Sequence, residues 1–209
     1  MDWFSTISLA LGSAWTSGIN LYATVTVLGL LQKFGATKLP MGLTVLDNWW
    51  VIGVAGFLFA VEFFADKIPY VDSVWDVIHT FIRVPAGAIM AYAATSSDLD
   101  PTVSAIATLL GGGLALTSHG TKAALRATAN LSPEPVSNWA LSFIEDGIAI
   151  GGTVIAVVAP ALILIIIAIF LVFFVWFGSK VLRAIRRLFS AVRSFFAGDG
   201  FVEVAKKAG

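Results

Sequence analysis

The chain contains no cysteine, which excludes disulfides, thiolate metal sites and cysteine nucleophiles. Charge is scarce too. Asp, Glu, Lys and Arg make up 12% of the 209 residues, about half the share of a soluble domain. No polar stretch is long enough to build such a domain. Histidine occurs only at His79 and His119, and two residues so far apart in sequence make no recognisable metal site. G-x-S-x-G, H-E-x-x-H and P-loop motifs are missing as well. No cofactor is expected, and nothing supports nucleic-acid binding.

Apolar residues are what the chain does have: 58% of the total, with a mean hydropathy of +0.89. That composition predicts an all-α integral membrane protein with room for about six segments of ~20 residues. Trp3–Trp15 has Asp2 in place of a basic flank and no cleavage site, so it reads as a retained segment.

One pattern occurs twice. Gly12-Ser13-Ala14-Trp15-Thr16-Ser17 returns as Gly113-Leu114-Ala115-Leu116-Thr117-Ser118, and Asn48-Trp49 returns as Asn138-Trp139. Thr16 to Asn48 spans 32 residues and Thr117 to Asn138 spans 21, so the first half carries 11 extra residues, placed around Lys33–Asp47. The expected architecture is two similar halves with broken or re-entrant helices: residues 1–94, a linker at 95–101, and residues 102–178. Thr16-Ser17-Gly18 and Thr117–Gly120 are the expected breaks, since paired interrupted segments in matching halves point to transporter binding sites. Re-entrant hairpins would make the repeats parallel. Three crossings per half make them inverted, which is the expectation. Trp49–Phe64, Asp72–Ala94 (kinked at Pro85), Trp139–Val158 and Ala161–Phe177 are the expected full spans, with turns at Ile68-Pro69 and Ser132–Pro135. Residues 179–209 form a basic tail, with seven basic residues against two acidic ones in Lys180–Lys207. Within it Lys180–Phe196 is amphipathic, with Val181, Leu182, Ile185, Leu188, Phe189, Val192, Phe195 and Phe196 on one face. It is expected to lie along an anionic lipid surface, with the C-terminus cytoplasmic.

Charged groups in membrane segments are costly and default to functional hypotheses. Asp72, Asp76, His79 and Arg83 fall on one helical stripe, preceded by Glu62 and Asp66. The second half supplies His119, Lys122, Arg126, Asn138, Glu145 and Asp146. With Thr16, Ser17, Asn20, Thr117 and Ser118 at the breaks, these are the candidate residues for binding a substrate or ion. The plainer reading is that the charges pair to fix helix register, Arg83 with Glu62 or Asp76 and Arg126 with Glu145. Likewise the hydroxyls would bond carbonyls of their own helix and let helices approach closely. His79, between acids and Arg83, suits a proton relay. Asp72-x-x-x-Asp76 also matches the carboxylate spacing of Mg²⁺-dependent lipid and prenyl transferases. The acidic partner such an enzyme needs is at best Glu145-Asp146-Gly147.

The runs Glu62–Arg83 and Ser132–Asp146 together resemble a bacterial family of small multi-pass membrane proteins labelled only as a domain of unknown function. The resemblance covers most of Ser13–Gly152. It implies a cytoplasmic (inner) membrane location and supplies no activity. One departure is that Val84 stands before Pro85, where proline directly follows the arginine in that family. The broken pairs are also loosely similar in architecture to membrane-lipid carriers of the DedA type. The expected function is transport of a small ion, polar solute or lipid-linked headgroup through a polar site at the repeat interface, with proton coupling and a homo-oligomeric state among the expectations. A lipid transferase and a non-catalytic assembly factor are the alternatives.

Overall fold

The computed structural model describes residues 1–68, 70–130 and 135–197. Six α-helices and one 3-10 turn account for it, and the described residues contain no strand. Two units divide the chain, residues 1–168 and residues 169–209.

The first unit is built around α1 (Trp3–Lys33). Asp2 caps this helix by accepting from the Ser5 amide at 2.8 Å, which holds its carboxyl below the usual carboxylate range. Buried residues fill 67% of the apolar stretch of α1, against 33% for α3 and 39% for α4, so α1 is the central helix. A 3-10 turn (Met41–Asp47) follows and bends by 71° into α2 (Trp49–Ala65), whose cap is Asn48. This turn falls within the stretch Lys33–Asp47. It lies close against the neighbouring helices, with the Leu46 carbonyl over Gly29 and Gly42 under the Ala93 carbonyl.

Next come α3 (Val71–Thr95), which runs through Pro85, and α4 (Pro101–Ala129), capped by Asp100. The Thr102 amide lowers the Asp100 carboxyl as Ser5 lowers Asp2. α5 (Pro135–Val158) starts four residues before the expected Trp139. α6 (Pro160–Ala197) buries Ile163 and Ile167 in its opening turns. Five helices are long and apolar enough to cross a membrane, and the bent pair before α3 makes a sixth if it counts as one span. The chain is therefore a multi-pass membrane protein.

Small residues bring α1, α3 and α4 together. A Cβ on Gly18 would strike Ser118 and Ala115, and one on Gly87 would strike Ala115 and approach Ser17. The two copies of the repeated pattern thus pack on each other, and the Ser118 hydroxyl donates to the Trp15 carbonyl at 2.8 Å.

Three expectations are corrected. The break in α1 falls at Asn20 (φ −147°, ψ 101°), not at Thr16-Ser17-Gly18, and of the two expected forms it leaves one long broken helix. α4 continues straight through Thr117–Gly120. The hydroxyls expected to mark the breaks bond carbonyls three or four residues earlier instead: Thr16 to Gly12, Ser17 to Ala14, Thr117 to Leu114. Such back-bonding satisfies the hydroxyl within the helix. Finally, no separate surface helix begins at Lys180, because helical geometry is unbroken from Pro160 to Ala197. The expected turn residue Pro69, the loop at Ser132–Glu134 and the tail after Ala197 lie outside the described residues. So do the side chains of Pro135, Val181, Ile185, Leu188, Val192, Phe195 and Phe196.

Candidate functional site: a buried ion network at the break in α1

Asn20 is the residue at which α1 comes apart, and its side chain explains why. The amide oxygen accepts from the Ala23 amide at 2.9 Å, as an N-cap does, so the second half of α1 starts as a capped helix. The amide nitrogen donates to Asp146 of α5 at 3.0 Å. Breaking the ladder frees the Ile19 carbonyl, which accepts from the Lys122 ammonium at 3.3 Å. An irregular backbone at membrane depth is tolerated where protein groups satisfy it, and here charged ones do.

Lys122 is the hub. Besides Ile19 it meets Asp66 at 3.0 Å, Glu62 at 3.1 Å, Glu145 at 3.7 Å and Asp76 at 3.9 Å. One helical turn on, Arg126 binds Glu145 through two nitrogens and Asp66 at 3.0 Å, and it lies 3.8 Å from Asp72. Arg83 of α3 pairs with Glu62 and, at 3.4 Å, with Asp76. The pairings foreseen for Arg83 and Arg126 are all present, joined into one network through Lys122.

Of the two histidines, His119 bonds to the network and His79 to neighbouring groups. His119 Nδ1 is 3.0 Å from an Arg83 nitrogen, and a guanidinium only donates, so Nδ1 accepts. The ring proton is then on Nε2, directed to Thr80 Oγ1 (2.8 Å) and the Asp76 carbonyl (3.0 Å). His79 stacks on Trp75 with centroids 4.3 Å apart and places Nδ1 on the Trp75 carbonyl at 2.7 Å. Its Nε2 is 3.0 Å from the Tyr22 hydroxyl. Nearer the helix ends, Asn130 donates to both Asp72 oxygens, and Asn138 donates to Asn130.

All of these charges are buried. Glu62, Asp66, Asp72 and Arg83 have no exposure, and Asp76, Lys122, Arg126, Glu145 and Asp146 have 6% or less. The network holds three more carboxylates than fixed cations. Four carboxylate oxygens, Glu62 Oε2, Asp66 Oδ1, Asp76 Oδ2 and Asp146 Oδ2, have no hydrogen-bond partner. Burying an ion costs several kcal/mol and is offset only by close, well-saturated pairs. An arrangement with surplus acid and orphaned oxygens is chemically suited to taking up positive charge.

The candidate residues thus separate by contact. Asn20, Glu62, Asp66, Asp72, Asp76, Arg83, His119, Lys122, Arg126, Glu145 and Asp146 are joined directly, with Asn138 tied in through Asn130. His79 faces Tyr22. Ser17 and Ser118 sit at the small-residue crossing, while Thr16 lies against Gly152 of α5 and accepts from Thr153 at 3.1 Å; all of them, and Thr117, bond to backbone carbonyls. Sequence reasoning passed over Tyr22, Thr80 and Asn130. Asn130 was within reach, because Lys122, Arg126 and Asn130 share a stripe at four-residue spacing.

A family model described as a domain of unknown function (DUF4126) matches residues 7–180. The chain belongs to that family. No curated protein and no solved structure matches it. The match takes in the whole ion network and the break at Asn20, so the site lies within the DUF4126 region.

Proposed function

We propose that this DUF4126 protein is a transporter of the bacterial cytoplasmic membrane. It moves a small ion or polar solute through the core between α1 and its neighbours, coupled to protons. The observation that carries the reading is a membrane helix broken near its middle, with its freed carbonyl and its break residue both joined to a surplus-acid network. Discontinuous helices at the membrane midplane are how secondary transporters build ion and substrate sites. We take α1–α3 and α4–α6 as the two halves, inverted because each contributes three helices when the bent pair counts as one span. The packing of one repeated pattern on the other supports this. The basic stretch after Lys180 suits a cytoplasmic C-terminus on anionic lipid.

The transferase reading needs two carboxylates open to a pyrophosphate-bound Mg²⁺. Asp72 instead meets Asn130 and Arg126, and Asp76 faces Arg83 and Lys122. Among the described residues, no group of three or more Asp, Glu or His is placed to hold a metal. These contacts favour transport.

The absence of cysteine makes the test direct. Single cysteines replace Ala23, next to the break, or Thr80, next to His119. Each is probed in sealed vesicles with a membrane-impermeant maleimide, with Ala10→Cys as the dry control. Labelling at Ala23 and Thr80 but not at Ala10 is expected, because a transport path admits water to the network in one of its states. Protection of all three positions in folded protein would reduce the network to a packing device.

A further inference from the structure

Five of the six buried acids stand within 4.0 Å of a fixed cation. Asp146 is the exception among the described residues. Its Oδ1 accepts from Asn20, a neutral amide, and its Oδ2 is buried with no partner. The charged groups that face it are Lys122 from α4, Glu62 from α2, and Asp66 and Lys67 just beyond α2. Glu145 precedes it on α5. Asp76 of α3 is engaged with Arg83 and Lys122. α1 offers only Asn20, and α6 has no titratable residue before Lys180.

Neither cation is free for Asp146. Lys122 is shared among four other carboxylates and the Ile19 carbonyl. Lys67 donates to the Phe63 carbonyl at 2.9 Å and the Ser142 hydroxyl at 3.2 Å, over the Phe63 ring. A buried carboxylate without a counter-charge neutralises itself or takes a cation. Hard divalent cations take about six or more oxygen ligands, whereas Asp146 and one amide provide too few. A proton needs a single oxygen.

We propose that Asp146 carries an exchangeable proton at the break of α1 and that this proton sets the grip of α5 on Asn20. Its purpose in coupling rests on the transport reading; the site itself does not. The proton leaves Oδ2 for water admitted to the core and returns by the same route. Ionised Asp146 holds the Asn20 amide by a charge-assisted bond, roughly twice as strong as the neutral one. Protonation loosens that bond. Because the same Asn20 side chain caps the second half of α1 through Ala23, the proton and the shape of the break are linked in one residue.

Infrared difference spectroscopy on the full chain in phospholipid vesicles, stepped through pH, reads protonated carboxyl groups directly. The wild type is expected to show a carboxylic-acid carbonyl band that is lost in Asp146→Asn. The band returns displaced in Asp146→Glu and shifts in Asn20→Ala, two variants that keep the test open if Asp146→Asn fails to fold. A band unchanged in all three variants overturns the proposal. Proton flux is a separate readout. A wild type that shows the Asp146 band without flux retains the proton site and loses the transport reading. Flux with no Asp146-dependent band does the reverse.

Discussion

Arg126 shows most clearly how single residues hold this core together. It satisfies Glu145, Asp66 and the Asp66 carbonyl at once from a site that is 1% exposed. Removing one partner of such a buried set leaves the other charges uncompensated. Arg126→Leu is therefore expected to cost about 3–5 kcal/mol in reversible unfolding from mixed micelles. The Arg126→Leu/Glu145→Leu double variant should recover much of that loss, since an apolar pair replaces a buried ion pair at little net cost. A double variant as unstable as the single would mean that Asp66, not Glu145, is the principal partner. The pairings of Arg83 and Arg126 were legible in the sequence because opposite charges at membrane depth must find each other. Tyr22 and the Ile19 carbonyl were not. A hydroxyl at the tip of an aromatic ring looks like belt decoration, and no residue letter marks a freed carbonyl.

At the level of helices, the repeated pattern was visible, but its meaning divided. Hydroxyls and glycines suit both an unwound segment and a tight crossing, and the side chain that decides between them is outside the pattern. Asn20 breaks α1 because its amide offers a cap to Ala23, whereas in α4 the equivalent residue is Thr121, whose hydroxyl donates back to the Thr117 carbonyl within an unbroken helix. The crossing yields a paired test with its own internal control. Gly18→Ala forces a methyl into Ser118 and Ala115, so it should destabilise by about 1–3 kcal/mol, as over-packing does. Gly113→Ala, in open space on α4, should be neutral or stabilise by up to about 1 kcal/mol through helix propensity. Equal effects at the two sites would contradict the close approach of α1 and α4. The continuity of α6 past Lys180 could not be foreseen either, because an amphipathic stretch gives the same pattern whether or not it follows a span without a turn.

Across the whole molecule, composition and hydropathy were enough for an all-helical, multi-pass chain, and the stripes of charge were enough for a single polar core. What they could not supply was the meeting place: residues from five helices come together at Asn20, where the central helix is broken. Under the proposed function, that convergence serves passage across the membrane. The measurement that tests it most directly is charge movement into sealed vesicles holding the purified chain, driven by an imposed pH gradient or potential and read with an internal pH dye. The wild type is predicted to give uptake well above protein-free vesicles. Asn20→Leu, which removes the cap and the Asp146 bond together, is predicted to abolish uptake while the helical content is retained. Wild-type uptake no faster than in empty vesicles under either driving force, or full uptake by Asn20→Leu, would contradict it.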